Sequence, residues 1–157
     1  MQIVKRIALA LLVILVAIQF YRPEKNIAEK GHDMVFIAET KPQPELVTLL
    51  KQACYDCHSN NTVYPWYNNI APVSYWLADH VTDGKKHLNF SDWESYSIKK
   101  KDHKLEEVVE MVEDVEMPLN EYTWTHEEAR LTEEQREAII AWAKKTRELY
   151  EVSPEPK

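Results

Sequence analysis

The chain has 157 residues and a formal net charge of −7, from 26 acidic side chains against 19 lysines and arginines. This length allows one domain of ordinary size and a short extra segment, and the negative charge argues against a nucleic-acid partner. Only two glycines occur in the sequence. β-Barrels, hairpin-rich sheets and dinucleotide-binding folds need glycine at their turns, so we expect an all-α fold.

The N-terminal region contains an apolar run from Ile7 to Ile18, preceded by Lys5 and Arg6. Two cations before such a run predict that the N-terminus stays in the cytoplasm while the remainder is exported. No small-x-small cleavage site follows the run, so an uncleaved anchor over residues 1–22 is favoured over a cleaved signal peptide. These features predict a single-pass inner-membrane protein, attached to the membrane by its N-terminal helix, with its domain facing the periplasm.

The rest of the chain divides by composition into three parts. Residues 23–43 are polar with spaced prolines, which is typical of a tether, and contain one apolar island over residues 34–37 that can pack on the domain. Residues 44–151, which include both cysteines of the chain, are predicted to form the folded domain. Residues 152–157 form a polar tail.

Apolar residues at helical spacing predict four helices in the domain. Their expected positions are residues 44–57, 72–83, 104–115 and from Thr132 onward. Gly84 is placed to end the second helix. Thr132 precedes Gln135 by three positions, which fits a capping box at the start of the last helix.

The only two cysteines, Cys54 and Cys57, are separated by two residues, and His58 follows directly. This spacing is typical of covalent c-type haem attachment, because one helical turn brings two thiols to the separation of the haem vinyl groups. His58 would then be the proximal iron ligand. Three alternatives are weaker. A thioredoxin-like redox pair needs a βαβ context, and a zinc site needs four ligands. A plain disulfide would leave His58 without a role.

The sixth iron ligand is predicted to be Met117, which precedes Pro118 between the third and fourth helices. A thioether is a soft ligand that favours ferrous iron. Met117 could also be an ordinary core methionine. His80, on the apolar stripe of the second helix, and His126 are the alternative ligands.

Several further segments of the chain resemble the bacterial haem-binding domain family of single-haem, membrane-anchored proteins. The segments that carry this resemblance are Ala53-Cys-Tyr-Asp-Cys-His-Ser-Asn60, Tyr64-Pro-Trp-Tyr67, Ile70-Ala-Pro-Val73, His87-Leu-Asn-Phe-Ser-Asp-Trp93, Met117-Pro-Leu119 and Tyr122-Thr-Trp-Thr-His126. The order of elements is also similar to that of small class I cytochromes c. The resemblance implies one haem c bound through Cys54, Cys57 and His58, and it leaves the sixth ligand open.

A single haem with both axial positions filled has no room for a substrate, which favours one-electron transfer by a carrier that is not an enzyme. The net charge of −7 indicates a redox partner protein with a basic docking surface. An open sixth position would instead favour a haem-based sensor, an accessory module or a peroxidase.

Overall fold

The computed structural model describes residues 1–151, and this part of the chain contains eight α-helices and no β-strand. The all-α prediction is therefore confirmed for these residues. The helices are α1 (Gln2–Ile18), α2 (Met34–Thr40), α3 (Pro44–Ala53), α4 (Tyr55–His58), α5 (Val73–His87), α6 (Ile98–Glu113), α7 (Asn120–Thr123) and α8 (Glu133–Glu151). Short 3-10 helices cover Trp66–Asn69, Phe90–Ser95 and Glu127–Ala129.

The predicted membrane anchor over residues 1–22 is wrong. Among residues 1–151, no helix is both long enough and apolar enough to cross a membrane. Helix α1 has 17 residues, and at 1.5 Å per residue it extends over about 26 Å, less than the roughly 30 Å of a hydrocarbon core. The single-pass inner-membrane location with a periplasmic domain was inferred from that anchor and is corrected with it.

The core is formed by α2, α3, α6, α8 and the 3-10 helix at Phe90–Ser95, with α6 packed against α8. Trp93 and Phe36 are fully buried. The Phe36 ring lies 4.6 Å from that of Phe90 and 5.2 Å from that of Trp93, measured between centroids. Phe36 comes from the apolar island of residues 34–37, so this piece of the N-terminal segment is part of the domain.

Glu39 ties three helices together beside this core. Its carboxylate accepts hydrogen bonds from Lys101 Nζ on α6, at 2.7 Å, and from Tyr150 OH on α8, at 2.6 Å. Burial by itself would raise the pKa of Glu39, but these hydrogen bonds outweigh burial and hold the pKa below its ordinary value. The carboxylate is therefore charged where it joins α2 to the other two helices.

Gly84 does not end the second predicted helix, because α5 continues through it to His87. The residue has a different role. A Cβ atom at Gly84 would lie 2.6 Å from the backbone oxygen of Cys57 and 2.9 Å from its Cβ. Glycine is therefore needed so that α5 can approach α4 closely, and this contact places α5 directly against the cysteine motif.

The C-terminus of α6 differs from the prediction, whereas the N-terminus of α8 agrees with it. Helix α6 ends at Glu113, and Val115 lies in a left-handed turn with φ 59° and is 59% exposed. The third predicted helix, over residues 104–115, is therefore corrected at its C-terminus, because α6 has already ended before Val115. The capping box is confirmed: Thr132 N donates to Gln135 Oε1 at 2.8 Å, and Gln135 N donates to Thr132 Oγ1 at 3.3 Å.

Candidate functional site

The cysteine motif forms a single helical turn at the end of α3. Helix α3 ends at Ala53, and α4 begins after Cys54. The backbone N–H groups of Cys57 and His58 both donate to the Cys54 oxygen, at 3.2 and 2.9 Å. Both cysteines are free thiols and both are half-buried. One turn of helix thus holds two thiols and an imidazole together, as the sequence motif requires.

His58 is oriented by the chain that follows α5. Its Nδ1 lies 3.1 Å from the backbone oxygen of Leu88. A carbonyl oxygen can only accept, so we assign the proton to Nδ1, which leaves the lone pair on Nε2 for a metal. Burial lowers the pKa of His58. The imidazole is therefore neutral and held in the tautomer that an iron ligand needs.

A group of polar side chains, here called the Asn89 cluster (Asn60, Asn89, Ser91 and Asp92), fixes the position of that carbonyl. Asn89 is 3% exposed, and its Nδ2 donates to Asn60 Oδ1 at 2.8 Å and to Asp92 Oδ2 at 2.9 Å. Ser91 N donates back to Asn89 Oδ1 at 3.0 Å, and Asn60 N donates to Ser91 Oγ at 2.8 Å. The cluster joins the residue after Leu88 to the chain just beyond His58.

The two thiols are held in the neutral form. Burial, followed by the neighbouring Cys57, raises the pKa of Cys54 to about 12, and burial together with the charge of Asp56 raises the pKa of Cys57 to about 11. A redox pair that reacts through a thiolate needs the opposite shift. No group of three or more acidic, histidine or cysteine side chains in residues 1–151 could hold a metal ion by itself, so the zinc alternative gains no support.

Asp56, inside the motif, joins it to two other segments. The residue is 9% exposed. Its Oδ1 accepts from Val63 N at 2.8 Å, its Oδ2 accepts from Tyr122 OH at 2.9 Å, and its backbone oxygen accepts from Thr62 Oγ1 at 2.6 Å. Burial, followed by the charge of Asp56, raises the pKa of Tyr122, so the phenol remains a donor.

Met117 lies in the segment between α6 and α8, here called the crossing segment (residues 115–126). The segment starts with the left-handed Val115, and Met117 N donates to Met111 O at 3.0 Å. Met117 is half-buried. Further along, Tyr122 stacks on His126 with ring centroids 4.0 Å apart. The structure brings this segment to the cysteine motif through Tyr122, five residues after Met117.

In the two alternative histidines, as in His58, the Nδ1 atom lies within hydrogen-bond distance of a backbone oxygen. Nδ1 of His80 lies 2.8 Å from Trp76 O, and Nδ1 of His126 lies 3.0 Å from Tyr122 O. In each ring the Nε2 atom is the nitrogen left for a metal. His80 is half-buried beside Trp76, which is 48% exposed, so the predicted apolar stripe of α5 is partly open to solvent at this point.

Three tryptophans are unusually exposed. Trp66 is 76% exposed, Trp124 69% and Trp76 48%, whereas Trp93 in the core is fully buried. Tyr67 OH lies 2.8 Å from Thr125 Oγ1, which joins the chain neighbours of Trp66 and Trp124. Large exposed apolar patches on a folded domain mark binding surfaces. The exposed rings of Trp66, Trp76 and Trp124 are therefore candidates for contact with a bound ligand.

Asn26 has a structural role that no sequence pattern predicts. Its N–H donates to Tyr64 OH at 2.7 Å, its Nδ2 to Ser59 O at 2.8 Å, and its backbone oxygen accepts from Thr62 N at 2.9 Å. Lys85 Nζ on α5 donates to its Oδ1 at 2.7 Å. Asn26 thus closes the loop after the motif onto α5, and a lone asparagine in a polar stretch gives no pattern from which this could be inferred.

The chain matches the sequence profile of a family described as the haem-binding domain, over residues 13–145. No curated protein and no solved structure matches the chain. The match extends over most of the sequence and includes the cysteine motif, the Asn89 cluster and the crossing segment. The suspected family is thereby confirmed: the chain belongs to the haem-binding domain family, and haem is its cofactor.

Proposed function

We propose that the protein is a monohaem c-type cytochrome that transfers single electrons. The observation that carries this proposal is the arrangement of His58. A half-buried imidazole with a lowered pKa has Nδ1 3.1 Å from Leu88 O, which leaves Nε2 for a metal, and it lies on the same helical turn as the thiols of Cys54 and Cys57. These are the groups that attach and ligate a haem of the c type.

Attachment needs no chemistry beyond addition of each thiol to one vinyl group. The sulfur of Cys54 or Cys57 would form a bond to one vinyl carbon of the haem, the thiol hydrogen would go to the other, and the carbon–carbon double bond would become single. Each cysteine therefore ends as a thioether with no oxidant or reductant consumed. Half-buried neutral thiols are suited to this product, because a thioether carries no charge.

Met117 is proposed as the sixth ligand. Support comes from the crossing segment, which is held to the motif by the hydrogen bond from Tyr122 OH to Asp56 Oδ2 at 2.9 Å. Haem supplies a one-electron ferric–ferrous couple, and a thioether ligand stabilises its ferrous form relative to a second histidine. With both axial positions occupied by side chains, no coordination site is left for a substrate.

The redox partner is proposed to present a basic surface. Nearly all charged side chains between residues 105 and 135 are acidic, and this stretch contains the crossing segment. Complementary charge raises the rate of encounter and is weakened by salt. Electron exchange with a basic partner should accordingly slow as ionic strength rises.

A haem-based sensor with a labile sixth position is the second candidate. The observation that favours it is the exposure of the crossing segment, in which Val115 is 59% and Trp124 69% exposed. A segment that leaves the iron readily would let a small ligand bind. Rapid formation of a carbon monoxide complex by the ferrous protein would favour this candidate over electron transfer.

Covalent attachment can be tested directly on denatured protein. Wild-type protein separated on a denaturing gel should retain haem peroxidase staining, and the double variant Cys54→Ala/Cys57→Ala should lose it. Met111→Ala, outside the motif, is the matched control and should stain like the wild type. Haem that leaves the wild-type protein in acidified organic solvent would contradict c-type attachment.

A further inference from the structure

We propose that Asp56 is a positioning residue that holds the crossing segment over the sixth position of the iron through Tyr122. This inference rests on the proposed c-type haem site and deepens it. Asp56 occupies one of the two positions between the motif cysteines, which the attachment chemistry leaves free to vary. In this chain the position carries a buried carboxylate with both oxygens engaged.

The two oxygens of the carboxylate have different tasks. Oδ1 accepts from Val63 N, only seven residues away, and so fixes the loop that follows the motif. Oδ2 accepts from Tyr122 OH, which is 66 residues away in the sequence. The bond to Val63 is local in the sequence, whereas the bond to Tyr122 joins the motif to the crossing segment. Because Asp56 is 9% exposed, water competes little for this bond, which strengthens it.

Tyr122 OH also has a longer contact to Gln52 O, at 3.4 Å, and the remaining hydrogen bonds from the crossing segment to other parts of the fold are at its ends or in exposed positions. At its start, Met117 N donates to Met111 O at 3.0 Å. Beyond Tyr122, Thr125 Oγ1 lies 2.8 Å from Tyr67 OH and Thr123 O accepts from Arg130 Nε at 3.1 Å, both in exposed positions. The stretch from Met117 to Tyr122 is therefore fixed at one end by helix α6 and at the other by Asp56.

Loss of the Asp56–Tyr122 bond should let the crossing segment leave the iron more often while the proximal side stays intact. Tyr122→Phe removes the hydroxyl and keeps the ring that stacks on His126 at 4.0 Å. Asp56→Asn keeps the size of the side chain and removes its charge. Both changes leave Cys54, Cys57 and His58 in place, so the haem content should remain that of the wild type.

The test measures how fast imidazole replaces the sixth ligand in the ferric holoprotein. Tyr122→Phe and Asp56→Asn should each raise the rate about tenfold, as expected for loss of one hydrogen bond to a charged group. Tyr64→Phe is the matched control, since its hydroxyl accepts from Asn26 N at 2.7 Å and does not bond to the crossing segment. Its rate should stay within about twofold of the wild type.

Hydrogen exchange separates failure of this inference from failure of the proposed sixth ligand. Amides of residues 117–126 should exchange faster in Tyr122→Phe than in Tyr64→Phe, whichever side chain ligates the iron. Unchanged exchange and an unchanged imidazole rate in Tyr122→Phe would overturn the role of Asp56. If Met117→Ala keeps the wild-type spectrum while Tyr122→Phe still speeds exchange, the ligand assignment is wrong and the role of Asp56 stands.

Discussion

The two sides of the proposed haem site differ in how completely the chain itself fixes them. On the side of His58, Asn89 is 3% exposed, Ser59 is fully buried, and the hydrogen bonds of the Asn89 cluster are made between protein groups. In the crossing segment, Val115 and Trp124 are more than half exposed. The contrast indicates that the chain's own groups fix the His58 side more completely than they fix the crossing segment.

This difference gives each side its own sensitivity to mutation. Changes at the proximal side should lower the stability of the whole domain, because they disturb packed groups with no alternative partners. Changes in the crossing segment should alter ligand exchange and spectrum with a small effect on stability. The substitutions below test this division, from the largest expected effect to the smallest.

Gly84→Ala should destabilise the protein by about 3 kcal/mol, because a Cβ atom 2.6 Å from Cys57 O forces α5 away from the motif. The sign of the effect is diagnostic, since glycine to alanine in an ordinary helix interior stabilises by about 1 kcal/mol. Urea unfolding of the holoprotein measures the change, with the exposed Asp79→Ala on the same helix as control. A stability gain would show that α5 does not approach the motif closely.

Asn89→Ala should cost about 2 kcal/mol, because Asn60 Oδ1 and Ser91 N lose their buried partner. Loss of the cluster also frees the Leu88 carbonyl, so the hydrogen bond to His58 should weaken and the reduction potential should shift. Urea unfolding and redox titration check both effects. The exposed Asn120→Ala is the matched control, and equal behaviour of the two variants would contradict a special role for Asn89.

Val115→Gly should stabilise the protein by about 0.5–1 kcal/mol. A β-branched residue at φ 59° is strained by about 1–2 kcal/mol, and the greater freedom of glycine in the unfolded chain returns about 0.5–1 kcal/mol of this. The side chain is 59% exposed, so little packing is lost. Thermal unfolding measures the gain, and a clear loss of stability would mean that the valine side chain makes a contact that outweighs the strain.

Local patterns predicted the helical class and the approximate places of the long helices, but not the contacts between them. Periodicity predicted the α-helical class, and the Thr132–Gln135 capping box is present because it needs only a four-residue pattern. The role of Gly84 could not be predicted, since the close approach of α5 to Cys57 is a tertiary feature. The pairing of Asp56 with Tyr122, 66 residues apart, has the same origin.

The prediction of a membrane anchor over residues 1–22 is wrong for a different physical reason. The apolar run from Ile7 to Ile18 has 12 residues and reaches a membrane thickness only together with its flanking residues. In the structure α1 ends at Ile18, and Gln19 is bound to the domain, its Nε2 donating to Ala71 O at 3.0 Å and its Oε1 accepting from Ala71 N at 3.0 Å. Composition indicates how apolar a segment is, whereas the length of the helix it forms depends on where the chain begins to contact the rest of the domain.

The most direct test of the account is the optical spectrum of the ferric protein with Met117→Ala and His80→Ala compared side by side. We expect the wild type to be low-spin with a sulfur-to-iron charge-transfer band, because a thioether occupies the sixth position. Met117→Ala should lose that band and shift toward high spin, and His80→Ala should retain it. A His80→Ala variant that loses the low-spin spectrum while Met117→Ala keeps it would show bis-histidine ligation and contradict the proposed site.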